Sequence, residues 1–267
     1  MATAWLITGS AFNNPLLPTA PVFVDEGLIA AFRIRESGTL ADLSGNGVLL
    51  ETVGTPVHGD QGVLVRNTAG YALNVEQPES FTFMAAFRVE YELATPGARL
   101  QGIVGSNDEI EKKGLSIVSG VFGGTAESPG TRLQSGAVYV GSSSSTFNLR
   151  GSQISEPPVP VYPYASPWQW LAVSYDANTS LVNIYEPKKG IAVTYEIPSD
   201  WRAGGRLKIG LRPGVGDLGG PLGVRIPEAL FYDRALSEEK VLEQFAISQG
   251  YLNSIGIQLA ATPSTVN

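Results

Sequence analysis

Two carboxyl groups held on rigid backbone about 5–10 Å apart would hydrolyse a glycosidic bond. Six to eight oxygens gathered from loops would hold Ca²⁺, and aromatic rings on an exposed loop would stack on sugars. This sequence of 267 residues offers material for each. Its densest acidic stretch is Asp108-Glu-Ile-Glu-Lys-Lys113, between Gly105 and Gly114. That spacing does not place two carboxylates on one face of a strand, so it reads as a solvated hairpin tip. Glu238 and Glu239 follow Ser237 and suit the first turn of a helix. No catalytic residue is assigned, and an enzyme is not expected.

Asp42, Asn46 and Asp217 are loop oxygens of the kind Ca²⁺ takes. Asp60 and Asp108 are of the same type, and none of the five forms a spacing motif. Asp217 sits in Gly214-Val-Gly-Asp-Leu-Gly-Gly220, which lacks the Lys-Ser/Thr ending of a phosphate loop. Tyr162 and Tyr164 flank the end of Glu156-Pro-Pro-Val-Pro-Val-Tyr-Pro163, a run too rich in proline to be buried whole. With Asp108 they are the candidate contacts for a sugar or a partner. Trp168 and Trp170 share a face at alternate positions and are assigned to the core. His58 reads as a surface loop residue, and Asp233-Arg234 as the close of a final strand, bonded to backbone.

Other chemistries have little to draw on. There is no cysteine and one histidine, so thiolate nucleophiles, disulfide frameworks and zinc sites lack ligands. The formal charge is −7, and no basic cluster is present to neutralise phosphates, so nucleic acid is not an expected partner. No run approaches the ~18 apolar residues that span a bilayer, and the start, Met1-Ala-Thr-Ala-Trp-Leu-Ile-Thr, lacks the features of a signal peptide.

The elements that must position these residues are mostly strands. Ser80-Phe-Thr-Phe-Met-Ala-Ala-Phe-Arg-Val-Glu90 places Phe81, Phe83, Ala85 and Phe87 on one face, the period of two of a half-buried strand. Short β-branched runs at 28–34, 62–66, 71–75, 102–105, 114–119, 137–141, 168–175, 181–185, 191–197, 206–211 and 230–232 continue the series. Asp176-Ala-Asn-Thr-Ser180 carries the turn chemistry of a hairpin. One helix is expected, capped by Ser237, with an apolar stripe of Val241, Leu242, Phe245 and Ala246 and a stop at Gly250. Three prolines in Pro15-Leu-Leu-Pro-Thr-Ala-Pro21 mark residues 1–26 as an arm. The division is an arm at 1–26, a β-sandwich at 27–252 and a tail at 253–267. The fold class is all-β: an antiparallel jelly-roll sandwich with one short C-terminal helix.

Four stretches together resemble the concanavalin A-like lectin/glucanase superfamily, in its laminin-G-like branch. They are residues 28–34 running into Asp42-Leu-Ser-Gly-Asn-Gly47, the strand at 80–87, the Gln169-Trp-Leu-Ala-Val-Ser-Tyr-Asp176 hairpin, and Ala229-Leu-Phe-Tyr-Asp-Arg-Ala-Leu-Ser-Glu-Glu-Lys240. Two departures are Glu186-Pro-Lys-Lys-Gly190, where relatives turn on Asn-Gly, and the proline excursion at 156–163. The resemblance implies a concanavalin A-like sandwich; relatives often bind Ca²⁺ with loop carboxylates and carbonyls, and no cofactor is assigned to this chain. It lacks the alternating carboxylates of the superfamily's glucanases.

The functional expectation is a non-catalytic structural or adhesion protein of a virion, such as a phage tail, fibre or capsid-surface component. It would be assembled in the host cytoplasm, with copies of itself, other virion proteins and host glycans as partners. A free carbohydrate-binding lectin is the alternative, and a polysaccharide hydrolase the third reading. Deleting residues 1–26 is expected to leave a folded sandwich and abolish assembly, as read by circular dichroism and sedimentation.

Overall fold

The computed structural model describes residues 22–35, 40–91, 99–108, 111, 113–122, 132–141, 146–150, 164–197, 199–212 and 222–260. In chain order the strands are β1 (Leu28–Arg33), β2 (Leu50–Val53), β3 (Val57–Gly59), β4 (Gly62–Val65), β5 (Gly70–Glu76), β6 (Phe81–Tyr91), β7 (Arg99–Gly105) and β8 (Leu115–Phe122). They continue with β9 (Arg132–Gly141), β10 (Thr146–Arg150), β11 (Tyr164–Ala165), β12 (Gln169–Asp176), β13 (Leu181–Glu186), β14 (Ile191–Glu196), β15 (Arg206–Ile209) and β16 (Leu222–Tyr232). One helix, α1 (Glu238–Ser254), closes the series.

The strands form two sheets with antiparallel pairings. The first runs β14-β13-β12-β6-β16-β4-β3, with β1 also on β16 and β11 also on β6; the second runs β10-β9-β8-β7-β15-β5-β2. The expected antiparallel sandwich with a late helix is therefore the observed fold.

The central strand β6 shows why the sheets must stack. Phe81, Phe83, Ala85, Phe87 and Val89 face the core between the sheets and have no exposed area. Burying each large apolar side chain contributes about 1.5–3 kcal/mol. Leu171, Val173 and Tyr175 of β12 continue that layer, as do Leu207 and Ile209 of β15. On β16 the inward positions change parity, from Val224 and Ile226 to Ala229 and Phe231, across an irregularity between Arg225 and Glu228. Pro227 lies in that bulge, where its missing N–H breaks no ladder bond. Gly62 sits against it; a Cβ there would lie 2.6 Å from the Ile226 carbonyl oxygen.

The opposite face of the first sheet is apolar too. Met84, Ala86, Trp168, Trp170, Ala172, Leu230 and Tyr232 form a second cluster, roofed by α1 through Val241 and Leu252. Trp168 and Trp170 thus share a buried face, as their spacing predicts. Both expected arms contribute to the roof. Phe23 and Val24 are buried in it from one end, and Ile257 and Leu259 from the other. Packing therefore does not end at residues 26 and 252, and a deletion that tests the arm without cutting the core must stop before Phe23.

Ser237 caps α1 as expected, its hydroxyl accepting from Lys240 N at 3.4 Å. Two helix expectations are corrected. The stop is not Gly250: the helix continues to Ser254, and Gly256, with φ of +76°, ends it. Gly256 N donates to Asn253 O at 3.1 Å and Ile257 N to Leu252 O at 2.9 Å, the paired closure of a left-handed helix end. The buried stripe is Val241, Gln244, Ser248 and Leu252, whereas Leu242 and Ala246 are exposed.

Gln244 and Ser248 are inward because the sheet presents polar groups there. Gln244 Oε1 accepts from Val24 N at 2.8 Å and from the Tyr232 hydroxyl at 3.1 Å, and its Nε2 donates to Ser248 Oγ at 3.1 Å. Beside them Glu228, fully buried, pairs with Arg33 Nε at 3.0 Å. The Arg33 guanidinium lies between two rings, 4.5 Å from Phe23 and 4.2 Å from Tyr251. Burial pushes the Glu228 carboxyl above its usual range, against the pull of Arg33 and the Ser248 hydroxyl. A raised carboxyl binds its proton more tightly in the folded state. Its contribution to stability is therefore complete below the ordinary carboxylate range and is lost as pH rises through the folded value. Glu228→Gln is expected to gain stability relative to the wild type over that rise, read as the difference between their melting temperatures across a pH series.

Candidate functional site

The polar groups on the roofed face of the first sheet converge where the roof ends. Beyond Ala86, the outward positions of β6 are Arg88 and Glu90, and the β16 residue directly opposite Arg88 is Arg225. Like charges directly opposite each other destabilise an antiparallel pair. Here one carboxylate offsets both cations. Glu90 Oε1 accepts from Arg225 Nε at 2.7 Å and from Arg88 Nε at 2.8 Å, and Oε2 accepts from Arg225 Nη2 at 3.0 Å. Burial alone would raise the Glu90 carboxyl, but Arg225 and then Arg88 outweigh it and hold the group below its usual range. Arg225 Nη1 donates to Gly62 O at 3.2 Å, which ties the guanidinium to the β3–β4 turn.

Arg88 stands differently. Its guanidinium carbon lies 4.6 Å from the ring centre of Trp168, and its two terminal nitrogens have no protein partner among the described residues. Trp168 is fixed behind it by the C-terminal segment, with Ala260 N donating to Trp168 O at 2.9 Å. The two arginines border a shallow, largely open hollow of about 410 Å³, rimmed by Asp60 and Gln61 of the β3–β4 turn and by Ile255 just past α1. That volume falls within the ~300–1,000 Å³ of small-ligand sites. A cationic fork and the acceptors of Asp60 and Gln61 make it suited to a polar, hydroxyl-bearing ligand.

The residues singled out in the sequence lie elsewhere. Tyr162 and Asp217 fall outside the described residues. Tyr164 lies in β11, its backbone opposite Tyr91. Asp108 is at the β7–β8 hairpin tip, bridged to Lys113, and its Oδ1 accepts from Glu111 N at 3.1 Å. Near it is Lys208, whose Nζ donates to Asn107 O at 3.2 Å. Burial pushes that ammonium below its usual range, against Asp108 and Glu76.

Asp42 works inside the fold. Its Oδ1 accepts from Ala31 N and Ser44 N, both at 3.0 Å, and its Oδ2 from Ser44 Oγ at 2.7 Å and Val48 N at 3.0 Å. Burial would raise its carboxyl, but these donors outweigh burial and hold it below the usual range. Asn46 Nδ2 donates to Leu28 O at 2.8 Å and Ile29 O at 3.0 Å. The Asp-Leu-Ser-Gly-Asn-Gly turn thus clamps the start of β1. Among the described residues no three His, Asp or Glu side chains gather as a metal cluster.

His58 is corrected: it lies in β3, partly buried, with Nε2 at 2.7 Å from the hydroxyl of fully buried Tyr71. Burial pushes the imidazole down and the Tyr71 hydroxyl up to about 12. The exposed side chains of Asp233 and Arg234 pair with each other at 3.1 Å, and Arg234 reaches Glu26 at 3.5 Å. The strand is closed by their backbone, as expected: Asp233 N donates to Gly27 O at 2.8 Å and the Arg234 carbonyl accepts from Thr82 Oγ1 at 2.8 Å. Sequence reasoning missed Arg88, Glu90 and Arg225; the sole local signal was two charges, Arg88 and Glu90, at alternate positions of an otherwise apolar strand.

The fold is a two-sheet antiparallel sandwich with a hollow where its helical roof ends. No family model and no curated protein matches the sequence. Solved structures do match in shape. The receptor-binding domain of botulinum neurotoxin type G is 13% identical, with a TM-score of 0.56 over 84% of this chain and 52% of that one. The binding domain of botulinum neurotoxin DC in complex with SialylT is 12% identical, with a TM-score of 0.56 over 87% and 52%. A structure of botulinum neurotoxin type C, whose cell entry depends on interaction with two ganglioside molecules, is 15% identical, with a TM-score of 0.55 over 86% and 52%. At these identities the likeness establishes the sandwich fold, and the chain spans about half the length of the neurotoxin chains it matches.

Asp42→Asn leaves two of its four donors unmatched and is expected to cost about 2 kcal/mol at neutral pH. Because the carboxyl is held low, its contribution is present above the unfolded value and lost as pH falls through the folded one. Urea unfolding should therefore show the gap between variant and wild type closing in acid.

Proposed function

We propose that the chain is a non-catalytic carbohydrate-binding adhesion module. The observation that carries this reading is the open hollow at Arg88, Arg225, Asp60 and Gln61, backed by Trp168. A shared sandwich fold with receptor-binding domains, one of them in complex with SialylT, supports it. Catalysis has no part in the reading, since the acidic stretch at 108–113 spends Asp108 on its own turn.

The finer assignments rest on the sequence. A concanavalin A-like, laminin-G-like lineage is supported by the four motifs quoted above. A place on a virion, as tail, fibre or capsid-surface component bound to copies of itself, is supported by the proline-rich segment before Phe23 and by the lack of cysteine. A lectin acting alone is the second reading, favoured by the same hollow.

A glycan array probed with the full chain tests the proposal. Binding to a defined set of glycans is expected, unchanged by EDTA because Asp42 is already occupied by four donors. A flat array, with the protein shown to be folded, would overturn it.

A further inference from the structure

We infer that the hollow recognises the carboxylate of an acidic sugar, with Arg88 as the residue that selects it. This rests on the carbohydrate-binding reading and adds the class of sugar. Arg225 already shows what a guanidinium does here: it grips the Glu90 carboxylate through Nε and Nη2. Two-point pairing of this kind fixes a planar carboxylate in orientation as well as place. Arg88 gives Glu90 only its Nε, so the end-on pair Nη1 and Nη2 is left as a second fork.

That fork is preset. Trp168 backs the guanidinium face at 4.6 Å, and Glu90 holds its inner edge. Little side-chain freedom is then lost when a ligand arrives, which lowers the cost of binding. Directly around Glu90, among the described residues, there are two cations for one anion, and Asp60 is the other anion lining the hollow.

A bare anion would not use the rest of the hollow. Across from the arginines stand Asp60 and Gln61, an acceptor and an amide suited to hydroxyl groups. Asp60 would repel a simple dianion placed beside it. A sugar acid divides its groups to match, with the carboxylate toward Arg88 and ring hydroxyls toward Asp60 and Gln61. Ile255 adds a short apolar stretch to the lining.

The test is titration calorimetry with saturation-transfer NMR on the full chain, using sodium glucuronate and 3′-sialyllactose against glucose and lactose. Using both acids separates a uronic from a sialic source of the carboxylate. At least one acid is expected to bind about tenfold or more tightly than its neutral counterpart. Arg88→Gln should remove that preference. Arg88→Lys, which keeps the charge over Trp168 but loses the fork, should remove most of it. Melting temperatures near the wild-type value would show both variants folded.

Equal affinity for acidic and neutral sugars would overturn the inference, as would acid binding that survives Arg88→Gln. If neutral glycans bind and resist that substitution, the carbohydrate-binding reading stands and the carboxylate selection falls. If no sugar binds the folded wild type, both fall together.

Discussion

The constraint on which the rest depends is that the middle of one sheet is apolar on both faces. β6 sends Phe81, Phe83, Ala85, Phe87 and Val89 one way and Met84 and Ala86 the other, and β12 and β16 repeat the pattern. A sheet of that kind needs a cover on each side. The second sheet supplies one. The other is assembled from the two ends of the described chain and α1, which is why Phe23, Val24, Ile257 and Leu259 belong to the same cluster. The helix is thus a structural necessity of the strand sequences, and its length sets how much of the sheet is roofed.

The roof tolerates Gln244 and Thr82 because both are bonded on more than one side, although Trp170 Nε1 and the Tyr251 hydroxyl are buried without a partner among the described residues. Gln244 uses its oxygen twice and its amide once, and Thr82 both donates to Arg234 O and accepts from Leu236 N at 2.9 Å. An unsatisfied group at such positions would cost about 1–3 kcal/mol. These bonds also fix register: Val24 N can meet Gln244 only when the N-terminal segment lies in one place along the helix. Apolar contact alone would allow sliding; the hydrogen bonds do not.

Much of this was legible in the sequence, and the failures have physical causes. The alternation at 80–90 located β6 and its buried face, Ser237 located the helix start, and the turn at 176–180 located a hairpin. The helix stripe was misplaced because apolar count favours Leu242 and Ala246, whereas Gln244 and Ser248 are drawn inward by Tyr232, Val24 N and Glu228, none of them local in sequence. Gly250 looked like a stop, but a glycine ends a helix only where the chain turns left-handed, and that happens at Gly256. The arginine cluster was invisible for the plainest reason. Arg225 and Glu90 are 135 residues apart, and only the β6–β16 register brings them together.

The same sheet face carries two ion clusters, and their difference is informative. Arg33 and Glu228 are matched one to one beneath the roof, with the carboxylate fully buried and the guanidinium between two rings. That pair is largely closed off from solvent by Phe23 and Tyr251, which leave no room against the guanidinium faces for a ligand. Arg88, Glu90 and Arg225 lie past the end of the roof, partly exposed, with cations in excess. Two arginines directly opposite each other would repel, and Glu90 between them offsets that repulsion. Nothing in the packing of the second cluster requires that second charge, since the roofed part of the face already closes at Met84, Ala86 and Leu230. That charge lies past the roof, beside the hollow that Asp60, Gln61 and Ile255 also line. A charge cluster kept at an opening, rather than beneath the roof, is the arrangement the proposed binding role requires.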